Sequence, residues 1–441
     1  MARLPERVRI GVVGLGWVGQ EVARAALEDP RVRLVGVADV DPVKAGRDLG
    51  EILGEGRLGL PIDADVESLL ARARPEVAIL STSSDVRAMR PTLEACLTHG
   101  AHVVTSCENL ASPELLEGDL ARALDEAARK ADVVILATGV NPGFAMDRLP
   151  VMLSQATRNI RRVRVSRVVD VASRRAQLQA KVGVGMSSQE FVAAMSESRV
   201  GHAGLSASLR LVAKGLGVSL DRTTETLRPL LAETPTSSSV LGPVPAGRVR
   251  GIYQVARGYR GETELITLEL TIALDEPNAR DVIDIVGEPP LRFSGELPGD
   301  TCTVATVLSA IPLMVTMPAG LRTVLDVPLE QPEEPIEARG DGLEATRNAT
   351  ALPAKTVEAA PPAKGRSKTR KAKTKPEKPE GATPTKKSAS KKARAVPADG
   401  APAAAAKKPR VPATTTTAPK KKQKKDTGVA TTKPKRARAT S

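Results

Sequence analysis

Residues 8–19 read Val8-Arg9-Ile10-Gly11-Val12-Val13-Gly14-Leu15-Gly16-Trp17-Val18-Gly19. A short apolar run ends in a glycine turn, and the turn opens a helical pattern. In a dinucleotide fold this order presents backbone N–H groups to a pyrophosphate. The first glycine makes the tight turn, the second admits the phosphate to the backbone, and the third lets the helix pack closely. A second apolar run, Val32–Ala38, ends in Asp39, 20 residues after Gly19. A carboxylate there accepts hydrogen bonds from the adenosine ribose and repels a 2′-phosphate. NAD is therefore favoured, while Lys44 and Arg47 nearby leave NADP open. The plainer readings are a glycine turn chosen for packing and an Asp39 that caps the segment after Pro42. Trp17 and Val18 lie on the loop, and Trp17 is expected to pack on the sheet more than to cover a cofactor.

Outward from this unit the pattern repeats. Val77–Leu80, His102–Thr105 and Val133–Ala137 are further apolar runs, separated by amphipathic stretches at Val86–Leu97 and Pro113–Lys130. Ser112 before Pro113 is a suitable helix start, since serine caps and proline needs no donor in the first turn. Strands alternating with helices predict a Rossmann-type, doubly wound parallel sheet over residues 1–145. From residue 146 the grammar changes. Ile160–Val171 sets Arg162, Arg164 and Arg167 against Val163, Val165 and Val168, as in a half-exposed strand. Ser187 and Glu190 form a capping box. Arg248–Gly258 and Glu262–Leu274 are two long strands meeting near Gly261. Residues 146–330 are thus expected to form an α+β domain with a mainly antiparallel sheet. Thr301–Leu321 carries no charge, but Pro312, Pro318 and four threonines fit a buried helix better than a membrane span. That helix, near residues 300–316, is expected to pack back on the first domain.

The chain has 441 residues and a net charge of +14. Residues 331–441 hold 28 Lys+Arg and 10 Asp+Glu, while residues 1–330 hold 37 and 41, so the excess lies at one end. This end has no aromatic residue and is rich in Lys, Ala, Pro and Thr, which predicts a disordered basic tail. It resembles the Lys/Ala/Pro-rich tails of bacterial histone-like proteins, which implies non-specific contact of residues 360–441 with nucleic acid or another polyanion. Three cysteines exclude a disulfide scaffold. No signal peptide is expected, because Val8–Val13 is short and runs into glycine. The expected location is cytoplasmic, with retention near the nucleoid through the tail.

Ligands of such a sheet bind beyond the carboxyl ends of its strands. Ser81-Thr82-Ser83-Ser84, Thr105-Ser106-Cys107-Glu108-Asn109 and Gly139-Val140-Asn141-Pro142-Gly143-Phe144 fall there. Thr82 and Ser83 offer hydroxyls near a nicotinamide. Glu108 is a lone carboxylate whose pKa desolvation would raise, suiting it to trade protons with an amine or water. The plainer reading of Glu108 is a helix cap. Cys107 is read as a buried inert thiol, His99 and His102 as structural, and no residues have metal-ligand spacing.

Cys107-Glu108-Asn109, the 139–150 segment, Arg174-Arg175 with Gln179, Lys181, Gly183 and Gly185, and Gly201-His202-Ala203-Gly204-Leu205 resemble the 2,4-diaminopentanoate dehydrogenase and native amine dehydrogenase family. Gly299-Asp300, Thr303, Ile311-Pro312 and Pro318–Leu321 extend the resemblance over about residues 5–330. It implies NAD(P)-dependent, reversible oxidative deamination of an amine or amino acid with release of ammonia. It also implies that Glu108 is the catalytic carboxylate and that the second domain forms a homodimer. Substrate-site candidates are Asn141, Phe144 and His202, with Arg174, Arg175 and Lys181 for a substrate carboxylate. A solvated charge run is the plainer reading of those three cations, and a structural histidine that of His202. Ala207 departs from the family, which usually carries a charge there, and this weakens the diamino acid assignment. Two alternatives stand beside this reading. One is a dihydrodipicolinate reductase-like C=N reductase, opposed by the absence of adjacent histidines. The other is a cofactor-binding module tethered to nucleic acid by its tail.

Overall fold

A computed structural model describes residues 7–116 and 118–329. The expected tail, residues 331–441, lies outside the described residues. Strands β1 (Val8–Val13), β2 (Val32–Ala38), β3 (Ile62–Asp63), β4 (Val77–Leu80), β5 (His102–Thr105) and β6 (Val134–Ala137) run parallel in the order β6-β5-β4-β1-β2-β3. Helices α1 (Trp17–Glu28), α2 (Leu49–Leu53), α3 (Val66–Ala73), α4 (Val86–Thr98) and α5 (Leu120–Lys130) connect them. β4 and β6 are buried at every residue, as strands covered on both faces must be. The β1–β4 and β4–β5 pairings place the three polar segments Ser81–Ser84, Ser106–Glu108 and Thr138–Asn141 beyond one edge of the sheet.

The second part begins with α6 (Arg148–Ser154), β7 (Arg158–Asp170), α7 (Ala176–Lys181), α8 (Ser188–Ser196) and α9 (Leu205–Gly215). It continues with β8 (Arg222–Leu231), the small hairpin β9 (Thr236–Ser238) and β10 (Gly242–Val244), then β11 (Val249–Arg260), β12 (Thr263–Ala273), β13 (Arg280–Glu288) and β14 (Leu291–Gly295). The six-stranded sheet has the order β14-β13-β7-β12-β11-β8. Its pairings are antiparallel except β7–β12, which is parallel because the long excursion through α7–α9 and β8 separates the two strands. One face packs on the helices through Val163, Val165, Leu268 and Ile283. The other carries the ion pairs Arg162–Glu264 (2.8 Å) and Arg164–Glu269 (2.7 Å). The Ser187/Glu190 capping box forms as expected.

The chain then returns. In α10 (Gly299–Met314) the residues Val304, Val307, Ile311 and Met314 join the core of Ile10, Val12 and Val104, and β15 (Gly320–Arg322) pairs in parallel with β6 to complete a seven-stranded sheet. The first domain is therefore closed by the end of the described chain. The apolar 301–321 run is a core helix; among the described residues no helix is long and apolar enough to cross a membrane. The expected helix Pro113–Lys130 is interrupted. Pro113–Leu115 forms a single tight turn, Ser112 makes no capping bond, and the chain passes Gly118 at φ 60° before α5 begins at Leu120. A left-handed glycine cannot continue a right-handed helix.

If α10 belongs to the first core, Ile311→Ala, at a site with no exposed surface, should lower unfolding stability by about 2–5 kcal/mol. Urea titration checks it; a loss well under 1 kcal/mol would show that the helix is peripheral.

Candidate active site

The glycine loop has a separate physical reason for each glycine. At Gly14 the φ is +87°, and an added Cβ would meet the Ser81 carbonyl oxygen at 2.9 Å. At Gly19 an added Cβ would lie 1.8 Å from the Gly14 carbonyl oxygen. At Gly16, the N-cap of α1, an added Cβ meets nothing within 4 Å, and no side chain caps the helix. Open space at an uncapped helix start is a cradle for a phosphate. Trp17 departs from expectation: it is 39% exposed and lies under the Arg175 guanidinium, 5.4 Å from the ring centre, so it does not pack into the sheet.

Asp39 ends β2 as predicted, and its carboxylate is turned toward the loop. It accepts from the Leu15 N–H (2.6 Å), the Asp41 N–H (2.9 Å) and Lys44 Nζ (3.1 Å). Burial raises its pKa, but these donors outweigh burial and hold it below the usual carboxylate range. Lys44 also reaches Asp41 at 3.5 Å, while Arg47 turns to Glu51 at 3.2 Å. Of the two cations that could offset Asp39, only Lys44 does so.

A cavity of about 420 Å³ runs from this loop into the second domain. Val18, Thr82, Ser83, Glu108, Asn141, Arg174, Lys181 and His202 line it, whereas Phe144 opens on a second cavity beside Met152 and Leu313. Phe144 is therefore not a wall of the main site. Ala207 is buried in the first domain's core and is absent from the cavity wall, so the missing family charge says little about this pocket.

Glu108 sits on a tight turn, Glu108–Leu110, just past β5. The end of α7 brings Lys181 Nζ to 2.7 Å from its Oε2, and the loop before α9 brings His202 Nδ1 to 3.5 Å from its Oε1. Burial raises the Glu108 pKa, yet the neighbouring His202 and Lys181 and hydrogen bonds from Lys181 and Ser84 bring it below the ordinary value. The expected rise is thus reversed, because a cation the chain supplies from another domain meets the desolvated carboxylate. Burial lowers the His202 pKa, while the Glu108 charge opposes that shift. His202 and Lys181 together hold Glu108 ionised.

His202 is held on three sides. Its backbone exchanges hydrogen bonds with the Gln254 amide (2.9 Å each), and its Nε2 lies 2.8 Å from Asn141 Nδ2. Asn141 Oδ1 lies 3.2 Å from the Ser208 hydroxyl, with its Nδ2 toward the imidazole. The single Ser208 hydroxyl proton goes to Asp147 at 2.7 Å, and Asp147 has no exposed surface and accepts from the Gly143 N–H (2.8 Å) and Arg148 N–H (2.6 Å). Burial pushes the Asp147 pKa up despite those bonds.

Arg174 lines the cavity with its guanidinium engaged by Asp300 at 3.2 Å, so it is a poor free clamp for a substrate carboxylate. Arg167, read from sequence as part of an exposed charge run, is 4% exposed and pairs with Asp281 at 2.6 Å. It shares strand parity with Val163 and Val165, and period 2 puts it on the inner face. Burial holds the Cys107 thiol at about 11, an inert group as read. His99 pairs with Glu67 (2.9 Å) and His102 Nδ1 accepts from the Val134 N–H (3.0 Å). Among the described residues no cluster has the composition of a metal site. Ser84, Asp147 and Asp300 lie in segments that the sequence singles out without giving them a role, while Ser208 and Gln254 carried no signal of their own, because each acts through a neighbour that only the fold brings close.

Residues 8–137 match the dihydrodipicolinate reductase N-terminal domain, and residues 144–335 match the 2,4-diaminopentanoate dehydrogenase C-terminal domain. The 2,4-diaminopentanoate dehydrogenase of Acetoanaerobium sticklandii is 26% identical over 345 residues, 74% of this chain and 94% of that protein. An amine dehydrogenase of Streptomyces virginiae is 28% identical over 350 residues, 72% of this chain and 95% of that protein. The solved amine dehydrogenase of Mycobacterium smegmatis superposes with a TM-score of 0.67 at 26% identity, covering 74% of this chain and 98% of that one. The likeness to the reductase family model lies in the first domain, while the second domain, which supplies Lys181 and His202, matches the dehydrogenase. Across both domains the chain is therefore similar to the 2,4-diaminopentanoate dehydrogenase and the amine dehydrogenases named above.

Proposed function

We propose that the chain is a nicotinamide-dependent oxidoreductase of the CH–NH2 group, interconverting an amine or amino acid with a carbonyl compound and ammonia. One observation carries this reading: Glu108, a carboxylate held ionised beside Lys181, lines the same cavity as Val18 of the glycine loop. When bound, a nicotinamide would accept the hydride from the substrate carbon. The residues suited to hold it are Gly14, Gly16, Gly19, Trp17, Val18, Asp39, Thr82 and Ser83.

The rest falls to the chain. Glu108, kept ionised by Lys181, attracts a substrate ammonium and stabilises the iminium charge that develops as hydride leaves. Its lowered pKa makes it a better holder of positive charge than a strong base, so a proton taken from the ammonium passes on to solvent. Water then adds to the iminium carbon, a proton moves to the nitrogen, and ammonia departs. His202, held by Asn141 and Gln254, places Nδ1 beside Glu108 and keeps the carboxylate oriented. Lys181, like Arg174, is already engaged by a carboxylate, so neither is a free clamp for a substrate carboxylate.

Both nicotinamides suit the site. Asp39 disfavours a 2′-phosphate, while Lys44 stands beside it as a cation. The second domain's charged outer sheet face suits a homodimer. We place the enzyme in the cytoplasm with ammonia as co-product, and hold contact of its tail with polyanions as an accessory property.

A panel of amines and amino acids with NAD⁺ or NADP⁺, followed by absorbance of the reduced nicotinamide, tests the reading. Glu108→Gln should lose roughly 10²–10⁴-fold in kcat while still binding cofactor; full turnover would remove Glu108 from the reaction. The Glu108 pKa lies below its ordinary 4.5, so the essential carboxylate persists as pH falls through that range. The acid limb of kcat/KM should sit below about 4.5 and move upward in Lys181→Met; an unmoved limb would deny the role of Lys181. Lys44→Ala should weaken NADP⁺ roughly tenfold and NAD⁺ little, as measured by KM. Equal losses would make Lys44 structural.

A further inference from the structure

One cation of the cleft has no role in that reaction. Arg175 is the N-cap residue of α7, in the second domain. Its guanidinium nevertheless lies over Trp17, the first residue of α1, where the glycine loop opens into the helix. Its contact with Asp300 is long, 3.7 Å, because Arg174 holds the same carboxylate at 3.2 Å. Its Nε is buried and finds no hydrogen-bond partner among the described residues. A buried donor on a charged group costs free energy unless an acceptor meets it.

The position is built from the second domain's side. Gln179, with no exposed surface, donates from Nε2 to the Arg174 carbonyl (2.9 Å) and the Val171 carbonyl (2.7 Å). That fixes the turn which presents Arg175 before any ligand arrives. The stack on Trp17 holds the planar group at the loop, and Val18 and Arg175 line the same cavity.

We propose that Arg175 is a phosphate clamp. It reaches from the second domain across the cleft and donates to the pyrophosphate of a dinucleotide seated on the Gly16–Val18 backbone. A guanidinium presents paired donors that match phosphate oxygens, which a lysine cannot do. The inference rests on the nicotinamide reading. It also gives α7 a purpose at both ends: Arg175 at its start meets the phosphates, and Lys181 at its end meets Glu108. A bound dinucleotide thereby steadies the helix that keeps the catalytic carboxylate ionised.

Calorimetric titration of the full chain with NADH, ADP-ribose and adenosine tests this, using the unaltered chain, Arg175→Ala and Arg175→Lys. Arg175→Ala should weaken NADH and ADP-ribose roughly tenfold or more and leave adenosine nearly unchanged, with Arg175→Lys in between. The adenosine titration checks that each variant retains a folded site. An equal loss for adenosine, or no loss for ADP-ribose, overturns the clamp while leaving the nicotinamide reading intact. If the unaltered chain binds none of the three, the nicotinamide reading fails and the clamp with it.

Discussion

The site depends on one ion pair, Lys181 to Glu108, 2.7 Å across the boundary between two sheets. A carboxylate at this depth would ordinarily protonate. A lysine at the end of a six-residue helix in the other domain, together with His202, prevents it. The second domain therefore does more than wall off the substrate. It sets the protonation state of a group that the first domain carries.

The frame that makes this pairing reproducible is polar as well as apolar. Arg167 and Asp281 are each about 4% exposed and join β7 to β13 beneath the cavity, with Arg167 also donating to the Leu297 carbonyl at 2.7 Å. Asp147 ties the 139–144 segment to α9 through Ser208. Removing one partner of such a pair strands a buried charge or donor, so these groups act as an alignment device whose loss costs more than their presence gains.

Much of this was legible in the chain itself, and the limits have physical causes. The glycine loop, the β1–β6 alternation and Asp39 carry local patterns that need no tertiary knowledge. Glu108 stood out as a lone acid at a strand's carboxyl end. Its pKa direction did not, because that depends on Lys181, which lies 73 residues away in sequence. Arg167 was hidden by the apparent alternation of its strand, and strand parity alone could have placed it inward. Phe144 follows Asn141 closely in sequence, yet the turn between them points it into a different cavity. The break before α5 was concealed by a Ser-Pro start signal that a left-handed Gly118 overrides.

The account reduces to a claim about one hydrogen: it leaves the carbon that bears the amine and arrives on a nicotinamide beside Glu108. The most direct measurement incubates the enzyme and NAD⁺ or NADP⁺ with amines and amino acids deuterated at that carbon, and weighs the reduced cofactor. Reduced nicotinamide carrying one deuterium is the predicted result. Reduced nicotinamide without label, or no reduction with any amine while a dihydrodipicolinate-type C=N substrate turns over, would contradict it.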